Sequence, residues 1–337
     1  MLRRVFVAAI VPLLLLAVAC ADEDPESAEA SDDPIPVTFM AGFRPQANLP
    51  FVAVYVAEAQ GFFADEGLAV EIQHSSGQDE HLKLLLDGQV DFITGTAAQA
   101  VRRAVDGLPV QAIALFGQRG DQGYVARAGA GIEGPADLAG HSVGFKAGVV
   151  PAELHALLAT AGLTVEDVEL VSVGFDPRVF IAGEVDVYPV FLNNEPDTIR
   201  RAGTEIAVLD PHDFGVPTLG LTYLVTDEML TERADVAERF LRATLRAVAY
   251  IEDHLDEAVE ATLTYAEGAD PEHQRFLLET DLAAARRDDG IGRADAAQWE
   301  SLIDLLVEFE VIEASVDVAS VYDGSIVDRL YDEGDLE

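Results

Sequence analysis

The 337 residues contain one cysteine, Cys20. A chain with no second cysteine cannot form an internal disulfide, and it offers neither a thiolate metal cluster nor a spare cysteine nucleophile. Basic residues are scarce as well: 21 Lys and Arg stand against 61 Asp and Glu, a formal charge of -40. Such a field repels nucleic acid and anionic lipid surfaces at long range, so neither is an expected partner. The plain reading of the acid surplus is a solvated surface. Aromatic residues make up only 7% while half the chain is hydrophobic, a balance that suits a globular protein better than a disordered or multi-span membrane chain.

Signatures of catalysis are missing too. None of the seven histidines falls in an H-E-x-x-H pattern, no G-x-S-x-G is present, and no two carboxylates are placed by spacing as acid and base. Gly129-Ala130-Gly131-Ile132-Glu133-Gly134 fits the dinucleotide-binding pattern by letter. The fingerprint needs a long helix opening at the glycines, but Pro135 follows at once and Gly140 stops any helix within about a turn. No catalytic residue, metal or cofactor is expected.

What is present begins with a leader. Met1 to Arg4 is basic, Val5 to Val18 is apolar but too short to span a bilayer comfortably, and Ala17 and Ala19 precede Cys20. Ala17-Val18-Ala19-Cys20 resembles the cleavage box of bacterial lipoproteins, which implies that Cys20 is lipidated and the mature chain is extracytoplasmic and held at the cell membrane. An ordinary secretory signal with an incidental cysteine is the alternative. Ala21 to Pro34, ADEDPESAEASDDP, lacks apolar periodicity and reads as an acidic disordered tether.

From Pro36 strands and helices alternate: Val37 to Met40 as strand, Phe51 to Gln60 as helix, Ala69 to Gln73 as strand, and a helix bearing Leu82, Leu85 and Leu86 behind a Ser76/Asp79 capping box. Val90 to Thr94, a helix over Ala98 to Val105 and Val110 to Leu115 complete a run of βα units, the pattern of parallel sheets flanked by helices. The alternation restarts at Tyr124 to Arg127, and beyond Asp227 four segments with helical spacing read as packing helices. The expected architecture is α/β with two lobes: residues 35-127 and 223-337 in lobe 1, residues 128-222 in lobe 2, and a helical C-terminal tail. The chain would cross between lobes near residues 127 and 223, forming a hinge. Strand ends of both sheets then face one cleft.

Several stretches resemble a known family. Tyr55-Val56-Ala57, Gly61-Phe62-Phe63, Glu66-Gly67-Leu68-Ala69-Val70-Glu71, Leu86-Asp87-Gly88-Gln89-Val90-Asp91-Phe92, Gly107-Leu108-Pro109 and Ile132 to Gly140 are together similar to the substrate-binding proteins of nitrate, sulfonate and taurine importers. That family also contains binders of thiamine pyrimidine precursors. Val173-Gly174-Phe175, Asn193-Asn194-Glu195-Pro196 and Asp213-Phe214-Gly215-Val216-Pro217 resemble the pyrimidine branch, whereas the opening loop Phe43 to Asn48 departs from it. The resemblance implies a periplasmic-binding-protein type II fold, an ABC permease as partner, a monomer, and a planar heterocycle as ligand. Riboflavin and sulfonate, taurine or nitrate are the alternatives. A fungal pyrimidine synthase shares the fold but relies on a cysteine-rich motif, and a sensory surface lipoprotein would share the anchor without needing a closing cleft.

Candidate ligand contacts follow from chemistry. Phe43, Phe175 and Tyr188 can stack on a ring, although Phe175 and Tyr188 also suit a core. Gln46 and Asn48 lie in the departing loop. Asn193 and Glu195 stand just past a strand, where an amide and a carboxylate can read an aminopyrimidine or simply cap the next helix. Thr94 and Thr96 can meet a polar group or serve as N-caps. Lys146 can present its ammonium to the cleft or lie solvated on the surface.

Overall fold

The computed structural model describes residues 33-337 apart from 78, 147, 149, 335 and 337. The expected leader, Cys20 and nearly all of the tether lie outside the described residues. Among the described residues no helix is long and apolar enough to cross a membrane.

The first stretch runs β1 (Ile35–Ala41), α1 (Leu49–Ala59), α2 (Phe62–Asp65), β2 (Leu68–His74), α3 (Glu80–Leu86), β3 (Phe92–Thr96), α4 (Ala97–Val105) and β4 (Val110–Leu115). The second runs β5 (Gln122–Arg127), β6 (Ser142–Phe145), α5 (Ala152–Thr160), β7 (Glu169–Ser172), α6 (Arg178–Ile181), β8 (Val187–Phe191), α7 (Glu195–Arg201) and β9 (Ile206–Leu209). β10 (Leu221–Thr226) follows, then α8 (Asp227–Glu232), α9 (Ala234–Asp253), α10 (Leu255–Tyr265), α11 (Pro271–Ala285), α12 (Ala296–Glu308) and α13 (Ser325–Glu333).

Two five-stranded sheets result, with strand orders β2-β1-β3-β10-β4 and β7-β6-β8-β5-β9. Neither is wholly parallel as the βα alternation predicts. β10 is antiparallel to β3 and β4, and β5 is antiparallel to β8 and β9. Each is the first strand laid down after the chain arrives from the other sheet, so no βαβ crossover fixes its direction. The strand Tyr124 to Arg127, expected at the end of lobe 1, therefore belongs to the second sheet, and the first crossing is residues 116-121 rather than a point near 127. The return crossing is residues 210-220.

The crossings run side by side. Gly220 donates its N–H to the Gly117 carbonyl at 2.8 Å, and a Cβ on Gly117 would lie 2.6 Å from the Gly220 Cα. Only glycine allows this approach. Arg119 pairs with Asp210 across the same crossing at 3.2 Å.

Tail helix α9 supplies the main apolar face under the first sheet. Its Phe240 stacks on Phe92 at 4.0 Å and 9° and meets Phe39, Phe63 and Tyr223. Helix α12 packs on α4 beside the first sheet and on α5 beside the second, so Trp299, Leu302 and Leu306 share one core with Val101 and Leu157. The capping box expected at Ser76 is built differently: Glu80, not Asp79, accepts from the Ser76 N–H and hydroxyl, both at 2.8 Å.

Candidate functional site

A cleft of about 760 Å³ opens between the sheets. From the first side come the loop after β1 (Phe43, Arg44, Gln46, Asn48), His81 of α3, Thr94 and Thr96 at the end of β3, and Gln99 of α4. Facing them are Phe175 and Pro177 beyond β7, Phe191 at the end of β8, Asn193 and Asn194 beyond it, and Glu195 and Thr198 of α7. Asp121, at the end of the first crossing, and Leu221, the first residue of β10, also line it. Among the described residues no group of three or more His, Cys, Asp or Glu is gathered as a metal would require.

The opening loop is pinned at both ends. Gly42 donates its N–H to Thr94 Oγ1 at 2.7 Å, and a Cβ there would come within 2.6 Å of the Thr94 carbonyl oxygen, which explains the glycine. Ala47 donates to Oε1 of buried Gln274, on α11, at 2.8 Å. Asn48 sits at the N-cap position of α1 yet does not cap it. Its Nδ2 instead donates to Asp281 of α11 at 3.1 Å, and Asp281 also takes the Leu49 N–H at 3.0 Å. A distant carboxylate thus satisfies one of the first-turn amides that the helix itself leaves without a partner.

Of the ten expected contacts, eight line the cleft. Phe43 and Phe175 are its exposed aromatics, 45% and 62% accessible, so Phe175 is not a core residue. Thr96 accepts from the Gln99 N–H in a capping box, the simpler of its two expected jobs. Gln46 donates to Asn48 Oδ1. Asn193 caps nothing: its Nδ2 donates to Asp281 Oδ1 at 2.7 Å. Glu195, at the first position of α7, accepts from the Phe191 N–H at 2.8 Å and pairs with Lys146 at 2.7 Å.

Two expectations need correction. Tyr188 is fully buried, with its hydroxyl donating to the Gly174 carbonyl at 2.8 Å, so its ring packs beneath the site. Lys146 is neither solvated nor turned into the cleft. Its ammonium is held by Glu195 and lies 5.1 to 5.3 Å from the Tyr188, Phe191 and Phe175 ring centroids, a cation over aromatic faces.

Sequence reasoning did not single out His81, Gln99, Asp121 or Asp281. Burial pushes the His81 imidazole below its usual value, leaving it neutral at neutral pH. Asp121 is pushed up to about 7, first by burial and then by the charge of Asp281. Burial also raises the Asp281 carboxyl, opposed by hydrogen bonds from Asn193, Leu49 and Asn48. A second cavity of about 350 Å³, mainly apolar, meets the cleft at Asp121, Asn193 and Leu221. The exposed aromatics and convergent polar groups make the larger cleft the candidate site.

Two mixed α/β sheets joined by paired crossings around a cleft are the architecture of periplasmic binding proteins. The aliphatic sulphonate binding protein SsuA of Escherichia coli superposes with a TM-score of 0.69 at 15% identity, over 87% of this chain and 94% of that one. Residues 48–258 match the NMT1/THI5 like family, and the chain belongs to it. Curated relatives include the formylaminopyrimidine-binding protein of Halalkalibacterium halodurans, 28% identical over 85% of this chain and 90% of that protein. Riboflavin-binding protein RibY of Chloroflexus aurantiacus is 25% identical over 94% and 95%. More distant relatives include 4-amino-5-hydroxymethyl-2-methylpyrimidine phosphate synthases, such as that of Legionella pneumophila at 23% identity over 61% of this chain and 67% of that one.

Proposed function

We propose that the chain is the extracytoplasmic substrate-binding component of an ABC importer, taking an aminopyrimidine of the formylaminopyrimidine or hydroxymethylpyrimidine type. The observation that carries this reading is the cleft itself: exposed Phe43 and Phe175 on its two sides and an amide and carboxyl edge at Asn193 and Asp121. A flat ring held by its faces and read along one edge suits that arrangement. The formylaminopyrimidine-binding relative supports it. Binding without bond making is the role, with closure of the two sides on the ligand and docking of the monomer on a membrane permease. Cys20 is the proposed lipid anchor, tested by the loss of radiolabelled palmitate from the Cys20→Ser protein.

Riboflavin is the second reading, favoured by the RibY relative and by the size of the cleft. Thermal shift with formylaminopyrimidine, hydroxymethylpyrimidine, riboflavin, taurine, alkylsulfonates and nitrate separates these ligands, because binding to the native state alone raises Tm. Stabilisation by a pyrimidine supports the first reading. Stabilisation by riboflavin or a sulfonate alone replaces it.

A further inference from the structure

Asp281 belongs to a tail helix, yet it touches both sides of the cleft. One carboxylate oxygen, Oδ2, accepts from the Leu49 backbone N–H at 3.0 Å and from Asn48 Nδ2 at 3.1 Å. The other, Oδ1, accepts from Asn193 Nδ2 at 2.7 Å. A backbone N–H can only donate, so Oδ2 is an acceptor and the carboxylate's orientation is set. A primary amide has a donating end and an accepting end. With one N–H of its amide held by Asp281, Asn193 keeps its second N–H and Oδ1, and among the described residues Oδ1 receives no hydrogen bond. Asn48 is already satisfied at both ends, by Asp281 and Gln46. Asp121 stands on the same wall of the cleft, while the nearby Lys146 is committed to Glu195.

We infer that Asp281 is a positioning residue that fixes the Asn193 carbonyl oxygen as the group reading the ligand, so that the cleft selects a heterocycle offering an amino N–H over its isostere offering a carbonyl. The inference rests on reading this cleft as a heterocycle site. A carbonyl placed against Asn193 Oδ1 faces an acceptor and leaves both unpaired, which corresponds to about a ten- to hundred-fold preference for the amino compound.

Asp281→Asn turns this preference over. The Leu49 N–H still requires an oxygen, so the new amide keeps its Oδ1 there and aims its NH2 at Asn193. Asn193 must then rotate, presenting its own NH2 to the cleft. Calorimetric titration of wild type and Asp281→Asn with 4-amino-5-hydroxymethyl-2-methylpyrimidine and its 4-oxo counterpart is the test. The expected result is an amino-to-oxo affinity ratio of about ten or more in wild type that falls to unity or inverts in the variant. An unchanged ratio, with both affinities lowered alike, would reduce Asp281 to a structural role and overturn the inference.

The Asn193 side-chain NH2 resonance, assigned by its loss in Asn193→Ala, gives a readout that needs no ligand. It should move in Asp281→Asn, and an unmoved resonance again overturns the contact. If neither pyrimidine binds wild type while the resonance moves as expected, the ligand reading fails and the Asp281–Asn193 clasp stands.

Discussion

Lys146 Nζ lies 2.7 Å from Glu195 Oε1, with the two side chains only 12% and 8% exposed. Lys146 follows β6 and Glu195 opens α7, so the pair ties together two strand ends of the second sheet beneath the cleft. Removing one partner from so dry a pair strands a charge. Lys146→Met is expected to lose about 3 to 5 kcal/mol of stability by urea unfolding. Adding Glu195→Gln should recover most of it, since the remaining groups are neutral. A double variant as unstable as the single one would show that the lysine acts through packing alone.

Phe175 and Tyr188 should separate binding from folding. Phe175 is exposed on the cleft, so Phe175→Ala should weaken a planar ligand about three- to ten-fold, the worth of one stacked pair, with Tm unchanged. Tyr188→Phe removes a buried hydroxyl from the Gly174 carbonyl and should lower stability by about 0.5 to 1.5 kcal/mol while leaving affinity intact. Paired calorimetry and melting of both variants check the assignment.

At the crossings, Gly117→Ala places a methyl 2.6 Å from the Gly220 Cα. Backbone cannot yield as a flexible side chain can, so about 1 to 3 kcal/mol should be lost. Gly174→Ala is the control, because nothing lies within 4 Å of a Cβ there. Equal melting temperatures for the two variants would contradict the close crossing.

Asp121 binds its proton more tightly folded than unfolded, its carboxyl being pushed up to about 7 by burial and then by Asp281. Its contribution to stability is whole below about pH 4 and is lost as the pH climbs through about 7. Asp121→Asn has no such proton to lose. Its stability relative to wild type should therefore rise between about pH 5 and 8, by about 1 to 3 kcal/mol at the upper end. A parallel pair of pH–stability curves would refute the buried, charge-opposed carboxyl.

Much of this molecule is legible in its sequence, and the illegible parts have physical causes. The βα alternation marks most elements to within a residue or two because apolar period and glycine stops agree, as at Gly88 just past α3 and Gly162 just past α5, both with positive φ. Strand direction is not written in any strand: Tyr124 to Arg127 has the same apolar pattern whichever sheet it joins. Thr94, Thr96, Asn193 and Glu195 are legible as cleft-lining residues because strand ends face clefts in such folds. Asp281 was invisible, since one acid among many in an acidic tail helix carries no local mark of the loop it will meet. Lys146 was misjudged for a related reason: its partner lies far along the chain, and spacing is silent about distant pairs.

Helix α12 has a consequence for how this chain can change. His155 of α5 stacks on Phe309, just past α12, at 5.7 Å, while α12 also rests on α4 beside the other sheet. The second sheet is thus not an insertion that could be lifted out to leave the first intact. Trimming the chain before Ala296 would uncover apolar surface on both sides of the cleft at once, and drift in α5 must be answered far downstream, in residues that never meet the ligand.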